Sequence, residues 1–167
     1  SSTTFTGLVA GTQYSVAQAA VPGYGLVGLT CTNGLADLAD RRATIVVSAG
    51  DQVTCTFSDR VTSIRIVQDT SPNSAQDFSY TGCAGPNGAS GCGTFTFDDD
   101  SDATLPASDT FSGLDPGTTY TITQGEVDGY GLSSLTCTSG QVDLAARRAT
   151  FVLAAGDQVT CTFTDVV

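Results

Sequence analysis

Ala149-Thr150-Phe151-Val152-Leu153 and Gln158-Val159-Thr160-Cys161-Thr162-Phe163, separated by the turn residues Ala154-Ala155-Gly156-Asp157, decide the fold class. Val159, Cys161 and Phe163 fall on one face of an extended chain, and Thr160 and Thr162 fall on the other. That period of two belongs to a strand with one face in a core and one in water. The turn between the two runs predicts a hairpin. Working outward, further strands are expected at 63–68, 77–81, 94–97, 119–124 and 133–138. Turn-rich stretches such as Ser71-Pro72-Asn73 and Asp115-Pro116-Gly117 separate them. Apolar residues nowhere recur at helical spacing, so the chain is expected to be an all-β sandwich of short strands.

The same stretch occurs twice. Ala49 to Phe57 repeats Ala155 to Phe163 residue for residue, and the match extends without a gap at an offset of 106. Residues 1–60 align with 107–166, pairing Phe5 with Phe111, Tyr14 with Tyr120, Gly23-Tyr24-Gly25-Leu26 with Gly129-Tyr130-Gly131-Leu132, and Arg41-Arg42-Ala43-Thr44 with Arg147-Arg148-Ala149-Thr150. Residues 61–106 have no counterpart. The expected organisation is therefore one complete β-sandwich repeat at 61–167, preceded by the C-terminal part of another repeat at 1–60. Arrays of near-identical modules serve reach, spacing or polymerisation more often than chemistry. Between Cys55-Thr56-Phe57 and Ile64-Arg65-Ile66-Val67 lies no Gly, Pro or long polar linker, which favours a stiff rod.

Composition removes several function classes. The 167 residues carry a net charge of -11 and a sequence pI near 4.1, which opposes binding to nucleic acid or an anionic membrane, since phosphate recognition needs clustered Lys and Arg. The chain contains no His and no Met, and all six basic residues are Arg. General-base catalysis by His, Schiff-base chemistry by Lys and most zinc sites lose their usual side chains. No initiator Met, leader segment or apolar run of about 20 residues is present, so the sequence reads as part of a longer protein with its anchoring signals elsewhere.

The six cysteines fall into pairs: Cys31 with Cys55 and Cys137 with Cys161 at the same separation, and Cys83 with Cys92 bracketing Ala84-Gly85-Pro86-Asn87-Gly88-Ala89-Ser90-Gly91. No CxxC spacing and no His accompany them, so disulfides are expected rather than a metal centre. The compartment is then oxidising, and the protein secreted or on a cell surface. By the loop-entropy argument each of the two longer closures stabilises the fold by roughly 3 kcal/mol.

Phe111-Ser112-Gly113-Leu114-Asp115-Pro116-Gly117-Thr118-Thr119-Tyr120-Thr121-Ile122-Thr123-Gln124, followed by Gly129-Tyr130, resembles the B-type repeats of bacterial collagen-adhesin stalks and pilins, a prealbumin-like family. The resemblance covers 61–167 and, in part, 1–60. It implies an immunoglobulin-like, prealbumin-like sandwich and a structural role. In that family many modules carry an internal isopeptide bond, formed between a first-strand Lys and a last-strand Asn or Asp and promoted by a Glu in the Tyr-x-x-x-Glu strand. This sequence has Gln68 at the first-strand position and Gln124, or Gln18 in the other copy, at the Glu position. The resemblance thus implies a module without that bond, with the Cys137 to Cys161 link as its covalent clamp.

Candidate sites are few. Asp98, Asp100 and Asp102 alternate in Asp98-Asp99-Asp100-Ser101-Asp102, which reads either as a loose calcium site or as a solvated acidic turn. Ala103 stands where an EF-hand wants Gly, and Pro106 stands where it wants a ligand. A glycosidase would need two carboxylates in contrasting environments, and the four clustered Asp of 98–102 do not supply them. Arg41-Arg42 and Arg147-Arg148 read as strand-edge charge that discourages sheet-to-sheet pairing, or as a dock for an acidic partner such as the 98–102 loop of a neighbour. Tyr24 and Tyr130, each between glycines, read as core or corner residues. The expected function is a non-catalytic repeat of a surface stalk, adhesin or filament. Its partners would be other copies of itself or adjacent repeats, with strand complementation between subunits as an assembly route. A carbohydrate- or protein-binding module using the Cys83 to Cys92 loop toward a host or surface ligand is the alternative.

Overall fold

In the computed structural model, residues 2–85, 90–102 and 104–167 are described. They form strands only: β1 (Gln13–Ala17), β2 (Tyr24–Cys31), β3 (Leu35–Asp37), β4 (Arg42–Val46), β5 (Cys55–Val61), β6 (Ser63–Ser71), β7 (Phe78–Ala84), β8 (Ser90–Phe97), β9 (Ser108–Ser112), β10 (Thr119–Gln124), β11 (Gly131–Cys137), β12 (Gln141–Asp143), β13 (Arg148–Val152) and β14 (Gln158–Val166). From β6 onward the strands make two sheets, ordered β12-β13-β10-β7-β8 and β11-β14-β6-β9. Their inner faces supply one core, which includes Ile64, Ile66, Phe78, Tyr80, Phe97, Ile122, Phe151 and Phe163. Alternation explains its composition, since every second residue of β14, from Val159 through Cys161 and Phe163 to Asp165, is buried.

Ahead of β6 are two smaller sheets, β1-β4-β3 and β2-β5. Shifted by 106 positions, β1, β4 and β3 correspond to β10, β13 and β12, while β2 and β5 correspond to β11 and β14. Even the register shift repeats, between Leu26 and Gly28 in one copy and between Leu132 and Ser134 in the other. Between β5 and β6 stands Thr62, which is fully buried. It donates its N–H to Gly23 O at 2.8 Å and accepts from Leu114 N at 3.2 Å, while its hydroxyl accepts from Gly156 N at 2.9 Å. Gly23 (φ +75°) needs its lack of a side chain here, because a Cβ would lie 2.6 Å from Gly113 Cα.

The hairpin expected across 154–157 does not form. β13 pairs with β10 and β12, whereas β14 pairs with β11 and β6, so the turn carries the chain from one layer to the other. Both strands own an apolar face, and the two faces meet across the core, where Phe151 and Phe163 are both buried. β9 and β12 had no strong signal in the sequence. Each lies at the edge of its sheet, where few positions need to be apolar.

Candidate functional site

A buried polar assembly lies between the two sheets formed from β6 onward. Gln68 on β6, Tyr80 on β7, Gln124 at the end of β10 and Asp165 near the end of β14 all bury their side chains. Arg147, in the turn before β13, reaches in from the side with φ at +52°. Its backbone carbonyl accepts from Gln124 N at 3.0 Å, fixing the turn against β10.

Asp165 is the hub. Its Oδ2 accepts from Gln68 Nε2 at 3.0 Å and from Gln124 Nε2 at 2.6 Å, and its Oδ1 accepts from Arg147 Nη2 at 3.0 Å. The Oε1 of Gln68 accepts from Gln124 Nε2 at 3.0 Å and from the Tyr80 hydroxyl, and the Oε1 of Gln124 accepts from Arg147. Burial pushes the Tyr80 phenol well above its usual range, so it stays a neutral donor. A buried carboxylate needs both a counter-charge and donors for its lone pairs, and this arrangement supplies them. Among the described residues, the one buried side-chain polar atom without a partner is Arg147 Nε.

Chemically the assembly is a clamp, because it joins first, second, fifth and last strands of the sandwich and a turn at one point. Its residues are donors and acceptors matched to each other, and the positions where the resemblance would place Lys and Glu hold Gln68 and Gln124 in contact with Asp165. Arg147 departs from the expectation of strand-edge charge: it turns inward to Gln124 and Asp165, while Arg148 stays exposed. Arg41 does likewise with Gln18 and Asp59, donating from Nη2 to Gln18 Oε1 at 2.6 Å and lying 3.6 Å from Asp59 Oδ1. Tyr80 and Asp165 were not singled out from sequence, and Arg147 was read only as edge charge or a dock for an acidic partner. The signal was present, since Gln18, Arg41 and Asp59 recur as Gln124, Arg147 and Asp165 at the repeat offset.

Disulfides brace two of these strands, β14 and β7, and the β2–β5 pair. Cys137–Cys161 and Cys31–Cys55 each join directly opposed residues of an antiparallel pair, β11 with β14 and β2 with β5. Cys83–Cys92 links β7 to β8, and the tip of its loop, 86–89, lies outside the described residues. Tyr130 packs edge-on against Phe78 at 5.3 Å and shares a hydrogen bond with Ser74 at 2.7 Å, whereas Tyr24 is exposed.

The carboxylates of Asp98, Asp100 and Asp102 bring one oxygen each within 4.8 Å of one another. Asp98 is buried, and its carboxyl is raised above the usual range by that burial and by the charges of Asp100 and Asp102. Asp102 is held below it by two hydrogen bonds from Thr104, both 2.6 Å. Calcium takes about six to eight oxygens, of which these three carboxylates would supply one apiece. The adjacent recess of about 270 Å³ is open and lined by Gln68, Asp98, Asp99 and Asp102, among others. Asp99 is committed to the fold, accepting from Thr70 N at 2.7 Å and Ser74 N at 3.1 Å.

A family model described as a prealbumin-like fold domain matches residues 1–61 and 64–166. The chain belongs to that family. No curated protein sequence matches this prealbumin-like chain. Among solved structures, it is similar to the major pilin from Streptococcus pyogenes, with 15% identity and a TM-score of 0.46 over 92% of this chain and 69% of the pilin. A bacterial adhesin from Mobiluncus mulieris, whose structure contains intramolecular disulfide, isopeptide and ester bond cross-links, gives 14% identity and a TM-score of 0.47 over 77% of this chain. The pilus-presented adhesin Cpa gives 16% and 0.44 over 63%. The prealbumin-like chain spans 44% of the Mobiluncus adhesin and 27% of Cpa.

Proposed function

We propose that the chain is a non-catalytic, tension-bearing module of an extracellular stalk or filament of the pilin and adhesin kind, partnered by other copies of itself through strand complementation. The observation that carries this reading is the pairing of β6 with β14. These are the first and last strands from residue 63 onward, and they run parallel from Ser63 opposite Gln158 to Ser71 opposite Val166. Force applied at the start of β6 and the end of β14 acts along that ladder, so its hydrogen bonds are sheared together instead of being opened one after another. The Gln68–Asp165 contact crosses the same pair of strands, and Cys137–Cys161 ties β14 to its other neighbour. Three disulfides support an oxidising, extracytoplasmic setting. The absence of His and Lys from the sequence supports a structural role.

Single-molecule force spectroscopy on the oxidised chain tests the proposal. Pulling between Ser63 and Val166 should require a clearly higher unfolding force than pulling between Ser63 and Gln158, which are neighbours at one end of the ladder and would peel it. Equal forces for the two geometries would remove the tension-bearing reading.

A further inference from the structure

β5 leads into β6 through a single residue, Thr62, and three other segments of chain close around it. Its N–H is held by Gly23, just before β2, whereas its carbonyl and its hydroxyl are held by Leu114 and by Gly156 in the sandwich that follows. Ser63 continues the contact, donating its N–H to Asp157 O at 2.8 Å. Gly25 on β2 lies against the same 154–157 turn. A Cβ on Gly25 would overlap the carbonyl carbon of Ala155, and one on Gly156 would lie 2.7 Å from Val27 Cγ1.

The duplication separates what the strand needs from what this contact needs. Gly23, Gly25 and Gly156 are buried, while Gly129, Gly131 and Gly50, their counterparts at the repeat offset, are exposed and have nothing within 4 Å of an added Cβ. The crowding therefore comes from the meeting of the two parts of the chain.

We propose that this meeting point is a rigid joint that fixes the orientation of the β1–β5 sheets on the following sandwich, with Thr62 as its pin and Gly25 as the close-packed point that sets the angle. The inference rests on the reading of the chain as a load-bearing module and names the surface through which one repeat holds the next. Rotating the joint would break three hydrogen bonds drawn from three different segments and leave buried backbone groups unpaired. An exposed linker residue would meet no such penalty. Tension arriving along β5 therefore passes directly into β6, the strand whose ladder with β14 carries it, without first straightening a hinge.

Residual dipolar couplings of the full oxidised chain test the joint. Couplings from residues 13–61 and from 63–166 should fit one alignment tensor, with the order of the first set at least about 0.85 of the second. Gly25→Ala should lower that ratio below about 0.6, whereas Gly131→Ala, the same change at the matched position, should leave it as it was. Neither glycine has a positive φ, so the two substitutions differ in what the added methyl meets. Thr62→Val removes the hydroxyl acceptor, leaves the Gly156 N–H buried and unpaired, and should also lower the ratio, while Thr62→Ser should keep it. Two independent tensors in the unsubstituted chain would overturn the joint, as would an unchanged ratio in Gly25→Ala and Thr62→Val. Equal loosening by Gly25→Ala and Gly131→Ala would overturn the role of Gly25. Should Gly25→Ala unfold β2 and β5, seen as collapsed amide shifts, Thr62→Val against Thr62→Ser decides. Pulling between Ser63 and Val166 engages only β6 onward, so failure of the ladder and failure of the joint are read separately.

Discussion

Asp165 and Asp59 offer the same substitution in two environments within one chain. Each faces a Gln and an Arg at corresponding positions, but Asp165 has no exposed side-chain surface, whereas Asp59 retains 28%. Asp165→Asn keeps the shape and removes the charge. It leaves Arg147, itself only 14% exposed at the side chain, without its counter-ion and turns an amide N–H toward the donors of Gln68 and Gln124. Breaking a buried ion pair from one side costs about 3–5 kcal/mol. Partial access of Arg147 to water and reorientation of the glutamine amides reduce this to about 2–4 kcal/mol. At Asp59, water replaces the lost contacts, and exposed pairs contribute about 0–1 kcal/mol. Urea denaturation of the oxidised protein, followed by circular dichroism together with hydrogen exchange in β14 and β5, should therefore show a large loss for Asp165→Asn and a loss of less than about 1 kcal/mol for Asp59→Asn. Equal losses at the two sites, or a loss below about 0.5 kcal/mol at Asp165, would refute the clamp.

Because burial raises the Tyr80 pKa, the folded state favours its neutral form. Its contribution is whole below about pH 10, the unfolded value, and is lost as pH rises above that. Absorbance titration should show one of the five tyrosines ionising only as the protein unfolds. A Tyr80 that ionised with the others while the fold stayed intact would contradict its burial in the network. Replacing Cys137 and Cys161 together by Ala should lower stability by about 3 kcal/mol, and replacing Cys83 and Cys92 by slightly less, because the second loop is shorter; thermal melts of the two double variants compare them, and the reverse order would count against loop closure as the cause. Asp98 has the raised pKa of a group whose ionised form the fold disfavours. Asp98→Asn should then leave the melting temperature unchanged or higher at pH 7, with the difference vanishing below about pH 4. A calcium-dependent rise in the melting temperature of the unsubstituted protein, abolished by Asp98→Asn, would instead assign the loop to an ion.

Period-two alternation made the strands legible because burying one face of a sheet imposes it on every inner strand. It placed β10 to the residue and found the inward face of β14. It could not choose between a hairpin and a crossover at 154–157, since an apolar inner face is required by either path. That choice belongs to long-range pairing: β14 pairs with β6, some ninety positions earlier, and a local pattern carries no trace of a partner so distant. Polar edge strands such as β9 escaped for a related reason, as they bury too little to show the alternation. The clamp was half legible. Gln68 and Gln124 stood out as departures from what the resemblance implies, but Asp165 looked like one more polar residue at the end of a strand, and Arg147 like surface charge. A single copy offers no means of distinguishing a buried Asp from an exposed one. The second copy did offer one: Gln, Arg and Asp recur together at one offset while many of their exposed neighbours change. Three polar residues separated by 23 and 18 positions in sequence stay together through a duplication most simply when they touch, and in the folded chain they do.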